Sequence, residues 1–282
     1  MAKSRPSLSS LAFWRKPRWR PAGSLAIVTG ASSGIGRELT LRLADQGCRV
    51  IGVARRRERL DEVVSSRPSG TIIPVVGDVT DSSVCDAAMS EVHQLAGGRL
   101  DLLINNAGIG AIGPFFDADP QRLREVMEVN FFAVTQWSRA AIPCLRNAAA
   151  AQADRPCTPV ICNIGSVLGH RAVPDKSEYC ASKFALHGWT DSIRAELAAA
   201  GIAVVLVSPS TTRSEFFDSL VGTSPGQTSK SVGSWPPDRV AQATLTAIAA
   251  CRSEVLLSWG GKALVYADRL SPPLIDRVLA KK

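Results

Sequence analysis

The sequence predicts a single α/β domain built on a doubly wound, seven-stranded parallel sheet. Seven short runs rich in β-branched residues recur along the 282 residues. They are apolar throughout rather than alternating, as strands are when helices cover both faces of a sheet. Amphipathic segments of helical period separate these runs, and the first run leads directly into a glycine-rich turn that opens a helix.

The elements alternate in order along the chain. The predicted strands cover residues 24–30, 49–55, 71–78, 100–108, 159–166, 202–210 and 254–258. The predicted helices cover residues 35–46, 81–96, 119–147, 179–199 and 238–251. Segment 148–159 reads as a helix end and a loop. The Gly-, Ser- and Pro-rich segment 221–237 predicts a mobile loop, which is either a lid on the ligand side of the sheet or a surface insertion.

Two terminal segments flank the predicted domain, which covers residues 24–258. Residues 1–23 carry six lysines and arginines and no acid, so the rest of the chain keeps only +2 of the net charge of +8. A disordered basic leader is the favoured interpretation, and weak contact of Trp14 and Trp19 with an anionic membrane is the alternative. Residues 259–282 divide into two short pieces at Pro272–Pro273. Packing on the core is the default interpretation. The alternatives are that they cover the substrate cleft, pack on a partner subunit or touch a membrane.

The composition argues against several classes of protein. A nearly neutral domain disfavours nucleic-acid binding. Seven cysteines without a CxxC motif indicate free thiols in a reducing compartment, and three scattered histidines indicate no metal site. The leader lacks the apolar core of a secretory signal, and no run reaches the roughly 18 residues of a membrane span. We therefore expect a cytoplasmic protein, with peripheral membrane contact as the alternative.

The sequence TGASSGIG (29–36) predicts a phosphate-binding loop between the first strand and helix. Its glycines allow a tight turn and a close approach of the backbone to a pyrophosphate, which the helix N-terminus would hold. The predicted contacts of this loop are Gly30, Ser32, Ser33, Gly34, Ile35 and Gly36.

The end of the second strand, GVARRRERL, predicts which cofactor is bound. An acid there would favour the ribose of NAD, but this strand ends in bases. Arg55 is placed to pair with a 2′-phosphate, whereas Arg57 and Arg59 read as a solvated helix start. The cofactor is therefore predicted to be NADP(H), with NAD(H) as the alternative.

A tyrosine and a lysine lie one helical turn apart in SEYCASKFALHGW (177–189). The neighbouring ammonium of Lys183 would lower the pKa of Tyr179 and make it a better general acid or base. Ser166 closes the fifth strand thirteen residues upstream, from where it would reach the same carbonyl oxygen as Tyr179.

In these motifs and in five more, the chain resembles the short-chain dehydrogenase/reductase superfamily. The further motifs are GDVT (77–80), NNAG (105–108), EVMEVNFF around Asn130, NIGS ending at Ser166 and VSPS (207–210). The resemblance covers about residues 24–258 and implies a Rossmann-type domain. It implies that Tyr179 is the general acid in reduction, that Lys183 lowers its pKa and binds the nicotinamide ribose, and that Ser166 orients the carbonyl. Asn130 would bend its helix and hold a water that feeds protons through Lys183.

The resemblance also implies further cofactor contacts. Asp78 and Val79 would lie at the adenine ring, and the cleft would be lined by Asn106, Ala107 and Gly108.

One departure from the family pattern lies after the sixth strand, where Ser210 replaces the usual glycine. Thr212 and Ser214 fall where the nicotinamide carboxamide would be bound.

The implied activity is NADP(H)-dependent hydride transfer between nicotinamide and a carbonyl or secondary alcohol. The predicted substrate contacts are mostly apolar, which suggests a hydrophobic substrate; they are Leu168, His170, Val173, residues 109–116 and residues 211–237. The resemblance implies a homodimer or homotetramer formed through helices 119–147 and 179–199. A non-catalytic NADP-binding sensor or scaffold is the alternative from another class.

Overall fold

The computed structural model of this chain describes residues 18–151, 157–212, 220–221 and 234–280. A seven-stranded sheet lies at its centre in the order β3-β2-β1-β4-β5-β6-β7, with every neighbouring pair parallel. The strands are β1 Leu25–Thr29, β2 Arg49–Ala54, β3 Ile72–Val76, β4 Leu102–Asn105, β5 Val160–Ile164, β6 Ala203–Ser208 and β7 Glu254–Leu256. The predicted fold class is confirmed.

Two helical layers cover the sheet because each strand is apolar on both faces. Side chains of β1 show this, since Ala26 and Val28 pack with Leu39 of α1, whereas Leu25 and Ile27 pack into the opposite core. The helices are α1 Gly34–Asp45, α2 Arg57–Ser65, α3 Ser82–Ala96, α4 Pro120–Met127, α5 Ala133–Ala150, α6 Ser177–Ala198, α7 Pro237–Ala249, α8 Trp259–Leu270 and α9 Pro272–Ala280.

The prediction of a single helix over residues 119–147 is wrong in one respect. A π-helical turn, Glu128–Phe132, separates α4 from α5. Asp119 caps α4, as its side chain accepts a hydrogen bond from the Gln121 N–H at 2.8 Å. The π-turn holds Asn130 fully buried.

The predicted leader ends earlier than residue 23. Trp19 is buried in the core beside α1 and α7, and its backbone N–H donates to the Ala249 carbonyl at 3.2 Å. The Thr158 N–H in turn donates to the Arg18 carbonyl at 2.9 Å. Trp19 therefore packs as a core residue rather than facing a membrane, and Trp14 lies outside the described residues.

The C-terminal helices α8 and α9 pack on the domain. Val265 is buried, and Gly261 lies so close to Val167 that a Cβ on it would come within 2.6 Å of a Val167 methyl group. Arg171 binds Asp268 of α8 and Asp276 of α9. Across the described part of the chain, no helix combines the length and the apolarity that a membrane crossing requires.

Candidate functional site

A cavity of about 1090 Å³ opens at the carboxyl ends of the strands. It lies where the strand order reverses between β1 and β4, the position at which open α/β sheets bind ligands. Its volume exceeds the ~300–1,000 Å³ that is usual for small-molecule sites, so it has room for a ligand larger than a drug-sized molecule.

The glycine-rich loop forms one end of this cavity. Gly30 has φ +70° and Gly34 has φ +52°, in the region that favours glycine. The amide of Asn106 donates to the Thr29 carbonyl at 2.9 Å and thereby fixes the loop against the end of β4.

Gly36 does not line the cavity, in contrast to its predicted contact with a ligand. It lies behind the loop, where a Cβ would be 2.1 Å from the Gly30 carbonyl oxygen. Its function in the fold is to let α1 pack against the loop.

Most of the other predicted cofactor residues share this cavity. They are Gly30, Ser32, Ser33, Gly34, Ile35, Arg55, Asp78, Val79, Asn106, Ala107, Gly108, Tyr179, Lys183 and Thr212. Ser214 lies outside the described residues.

Three arginines line the cavity beyond the end of β2, namely Arg55, Arg56 and Arg59. The guanidinium of Arg55 lies 3.4 Å from a carboxylate oxygen of Asp78, and both side chains are well exposed. Arg57 and Arg59 are both exposed, as predicted for a solvated helix start, and Arg59 in addition lines the rim of the cavity.

The Ser166 and Tyr179 hydroxyls share a hydrogen bond inside the cavity. Ser166 follows β5 and also accepts a hydrogen bond from the Leu168 N–H at 3.1 Å, which fixes its side chain. The Lys183 ammonium donates to the Ile164 carbonyl at 3.0 Å and lies 5.7 Å from the centre of the Tyr179 ring. Strand β5 and helix α6 thus bring the three predicted residues together.

Burial controls the ionisation of this pair. Burial of the phenol raises the pKa of Tyr179 to about 12, although the hydrogen bond from Ser166 opposes the change. Burial also lowers the pKa of Lys183 to about 8. The expectation that Lys183 lowers the pKa of Tyr179 is therefore not met in this structure, because the loss of hydration favours the neutral form of both groups.

Asn130 lies behind the cavity wall and does not line it. Its amide accepts a hydrogen bond from the Ile109 N–H and donates to the Ile109 carbonyl, each at 2.9 Å. It also donates to the Ser182 hydroxyl at 3.0 Å. The predicted bend at Asn130 is present as the π-turn, and the side chain joins the loop after β4 to α6.

A buried ion pair lies beside Tyr179. Arg122 of α4 donates to one carboxylate oxygen of Glu178 at 2.6 Å and 3.0 Å, and both side chains are buried. The hydrogen bond from Arg122 lowers the pKa of Glu178 against the opposing effect of its burial. This pair fixes the first turn of α6, which carries Tyr179.

The other end of the cavity is mainly apolar. The predicted residues Leu168 and Val173 line it, as do Ile109 and Ile112. Four further lining residues come from the C-terminal helices and were not predicted from the sequence. They are Gly260, Gly261, Leu264 and Leu279.

Ser210, which replaces the usual glycine, accepts a hydrogen bond from Ser258 at 2.8 Å. Ser258 also caps α8, since it accepts from the Gly261 N–H at 3.1 Å. The departure from the family pattern therefore ties α8 to the cavity wall.

His170 does not line the cavity, so its predicted substrate contact is wrong. Its Nε2 lies 3.0 Å from the Ser208 hydroxyl and 3.3 Å from the Glu254 carboxylate. The His187 ring lies beside it with ring centres 4.2 Å apart and planes inclined at 49°, so two of the histidines that look scattered in the sequence meet in space. Donor atoms of His170, His187 and Glu254 lie within 4.8 Å of one another. Burial lowers the pKa of His170 to about 4, and the nearby Arg269 adds to this effect.

The family model for short chain dehydrogenase matches residues 24–224. Dehydrogenase/reductase SDR family member 7B of Bos taurus is 30% identical, over 98% of this chain and 86% of that protein.

Two solved structures are similar. A short chain dehydrogenase from Burkholderia cenocepacia J2315 in complex with NADP has a TM-score of 0.76 and 27% identity, and the match covers 92% of this chain and 98% of that one. A 3-ketoacyl-(acyl-carrier-protein) reductase from Brucella melitensis complexed with NADH has a TM-score of 0.73 and 25% identity, and covers 84% of this chain and 98% of that one. With its parallel sheet, glycine loop and Ser–Tyr–Lys cluster, this chain belongs to the short-chain dehydrogenase/reductase family of oxidoreductases, enzymes that act on CH–OH and C=O groups.

Proposed function

We propose that this protein is an NADP(H)-dependent reductase of hydrophobic ketones or aldehydes, or the corresponding alcohol dehydrogenase. The observation that carries the proposal is the Ser166–Tyr179 hydrogen bond beside Lys183, at the junction of the glycine loop and the apolar end of one cavity. A carbonyl oxygen held there would accept hydrogen bonds from both hydroxyls. Tyr179 would donate the proton in reduction, because its raised pKa keeps it protonated at neutral pH.

The cavity fits a nicotinamide dinucleotide. The close approach of α1 to Gly30 leaves the first backbone N–H groups of α1 directed at the loop, where they would hold the pyrophosphate. Asp78 and Val79 would contact the adenine, and Lys183 the ribose next to the nicotinamide. When bound, the cofactor supplies hydride chemistry, and the chain supplies orientation and the proton.

The substrate class follows from the wall opposite the glycine loop. Leu168, Val173, Leu264 and Leu279 would remove an apolar substrate from water. Ketosteroids, retinals, quinones and acyl ketones carry such surfaces next to a carbonyl.

Cofactor oxidation at 340 nm tests this proposal. NADPH and NADH are supplied in parallel with the four substrate classes. We expect consumption with at least one class and a preference for NADPH. Tight NADPH binding without turnover on any substrate would contradict the proposal and favour a cofactor-binding sensor.

We predict that Arg55→Ala weakens NADPH binding by about tenfold or more, since a hydrogen bond to a charged phosphate is worth about 1.5–3 kcal/mol. Affinity for NADH should change little. The matched control is Arg57→Ala, because Arg57 belongs to the same arginine run but does not line the cavity. Titration of both cofactors by fluorescence gives the two dissociation constants, and an equal loss for both would contradict the role of Arg55.

The low pKa of Lys183 predicts a pH dependence. Lys183 is charged below about pH 8 and neutral above it, so kcat/KM for NADPH should fall as pH rises through that value. Tyr179 stays protonated over this range and contributes no change. Lys183→Arg should move the fall to higher pH, because a guanidinium stays charged. A profile that is flat to pH 9.5 would contradict the assignment.

We also propose a homo-oligomer formed through the faces of the π-turn and α6. The exposed rings of Phe132 and Phe184 on these elements support it.

A further inference from the structure

The C-terminal helices expose an unusual amount of apolar surface. Trp259, Tyr266 and Leu270 are 85%, 53% and 87% exposed, and they lie on one stripe of α8 because seven and eleven residues are close to two and three helical turns. Leu274 and Val278, one turn apart on α9, are 57% and 54% exposed. We call these five side chains the α8–α9 apolar face. Exposed apolar surface of this kind marks an interaction site.

Basic side chains flank this face. A second, smaller cavity of about 250 Å³ is lined by Arg252, Lys262 and Arg269, with Tyr266 and the carboxylate of Glu254. The Lys262 ammonium lies 5.4 Å above the centre of the Trp259 ring. Three cations and one acid thus surround a cavity directly beside the apolar stripe, so the rim of the face attracts anions.

Both acids of the two helices point away from this rim. Asp268 and Asp276 bind Arg171, which follows the turn after Ser166. The Arg171 guanidinium offsets one of these two negative charges, and the Asp276 side chain stays 65% exposed. Arg277 of α9 is exposed as well. The outward side of α8 and α9 presents apolar and basic groups, the arrangement typical of helices that lie in the interface of an anionic membrane.

The same two helices form a wall of the main cavity. Leu264 and Leu279 line its apolar end, and the α8–α9 apolar face lies on another side of these helices. Residues that would contact a hydrophobic substrate are consequently within one or two helical turns of residues that face solvent.

We propose that the α8–α9 apolar face docks on an anionic lipid bilayer and that the enzyme takes its hydrophobic substrate at that surface. Arg252, Lys262 and Arg269 would bind lipid phosphates while Trp259, Tyr266 and Leu270 enter the interfacial layer. A second copy of this chain is the other candidate occupant. In a two-fold dimer the same patch meets itself, so the two basic rims would repel each other. The claim about the substrate rests on the proposed function, whereas the docking does not.

Co-sedimentation of the full chain with vesicles tests the docking. We expect binding to phosphatidylglycerol-containing vesicles, weaker binding to pure phosphatidylcholine, and a decrease with added salt, since each interfacial cation contributes about fivefold in affinity. Arg252→Gln with Arg269→Gln should lower the affinity for anionic vesicles by about 25-fold.

Leu270→Glu and Leu274→Glu test the apolar face separately, and each should lower vesicle affinity by about tenfold or more. Leu123→Glu on α4 is the charge-matched control, because Leu123 is an exposed leucine far along the chain from this face. Thermal unfolding checks that the variants keep the fold. Equal binding of Leu270→Glu and the control, or no preference for anionic vesicles, would overturn the proposal.

Two further readouts separate the alternatives. If Leu270→Glu changes the oligomeric state in sedimentation velocity and has no effect on vesicles, the face is an interface between copies and the proposal is wrong. Turnover of a water-soluble ketone should be unchanged in Leu270→Glu. Absence of turnover in the unaltered protein would count against the proposed function and leave the docking result standing.

Discussion

Tyr179→Phe is expected to lower kcat/KM for carbonyl reduction by about 10²- to 10⁴-fold, the usual contribution of a positioned general acid. Phenylalanine keeps the ring and removes only the hydroxyl that shares a hydrogen bond with Ser166. NADPH affinity should therefore remain within a few fold. Initial rates and a fluorescence titration measure the two effects separately.

Tyr266→Phe is the matched control for this variant. It removes the hydroxyl of the other tyrosine in the chain, which is exposed on α8 and does not line the main cavity. Its activity in solution should equal that of the original enzyme. Full activity of Tyr179→Phe would show that the proton comes from another group.

Gly36→Ala is expected to abolish measurable NADPH binding and to destabilise the fold by about 1–3 kcal/mol, the usual cost of overpacking a tight site. The added methyl group would lie 2.1 Å from the Gly30 carbonyl oxygen and 2.4 Å from the Asn106 amide nitrogen. Either α1 moves away from the loop or the loop changes shape, and both alter the phosphate-binding end of the cavity.

The control is Gly188→Ala on α6, where an added Cβ meets no atom within 4 Å. Alanine in a helix interior stabilises by about 0.5–1 kcal/mol relative to glycine, so this variant should be slightly more stable and bind NADPH normally. Urea unfolding and cofactor titration test both variants. Normal binding by Gly36→Ala would mean that the loop tolerates a displacement of α1.

The sequence was most informative where function depends on local geometry. The glycine loop occupies eight consecutive residues, and Tyr179 and Lys183 lie one turn apart on one helix, so spacing alone indicated that they would be neighbours. Ser166 could be assigned because strand ends in parallel sheets meet at one edge.

Contacts between distant segments could not be predicted in this way. Leu264 and Leu279 reach the cavity because α8 and α9 fold back over it, and nothing in their own sequence specifies that path. His170 and Glu254 meet across 84 positions. The position of Arg59 at the cavity rim likewise depends on how α2 packs, and only Leu60 and Val63 of this helix are buried.

Ionisation was harder to predict than position. The sequence indicated correctly that Tyr179 and Lys183 would be close, but the shift expected for the phenol had the wrong sign for this structure. The depth of a group below the surface decides that sign, and depth depends on the whole fold rather than on a four-residue spacing.

The π-turn between α4 and α5 has a consequence for insertions and deletions. A π-turn accommodates one more residue than an α-helical turn does, so removing one residue from Glu128–Phe132 would allow a continuous, regular helix. Because the π-turn absorbs its additional residue locally, α4 and α5 would keep their relative orientation, and the change would be confined to the backbone around position 130. The amide of Asn130 would lose either Ile109 or Ser182, and the more regular helix would disconnect the loop after β4 from α6. A one-residue deletion at the π-turn is therefore expected to keep the fold and to loosen the loop after β4, which lines the cavity.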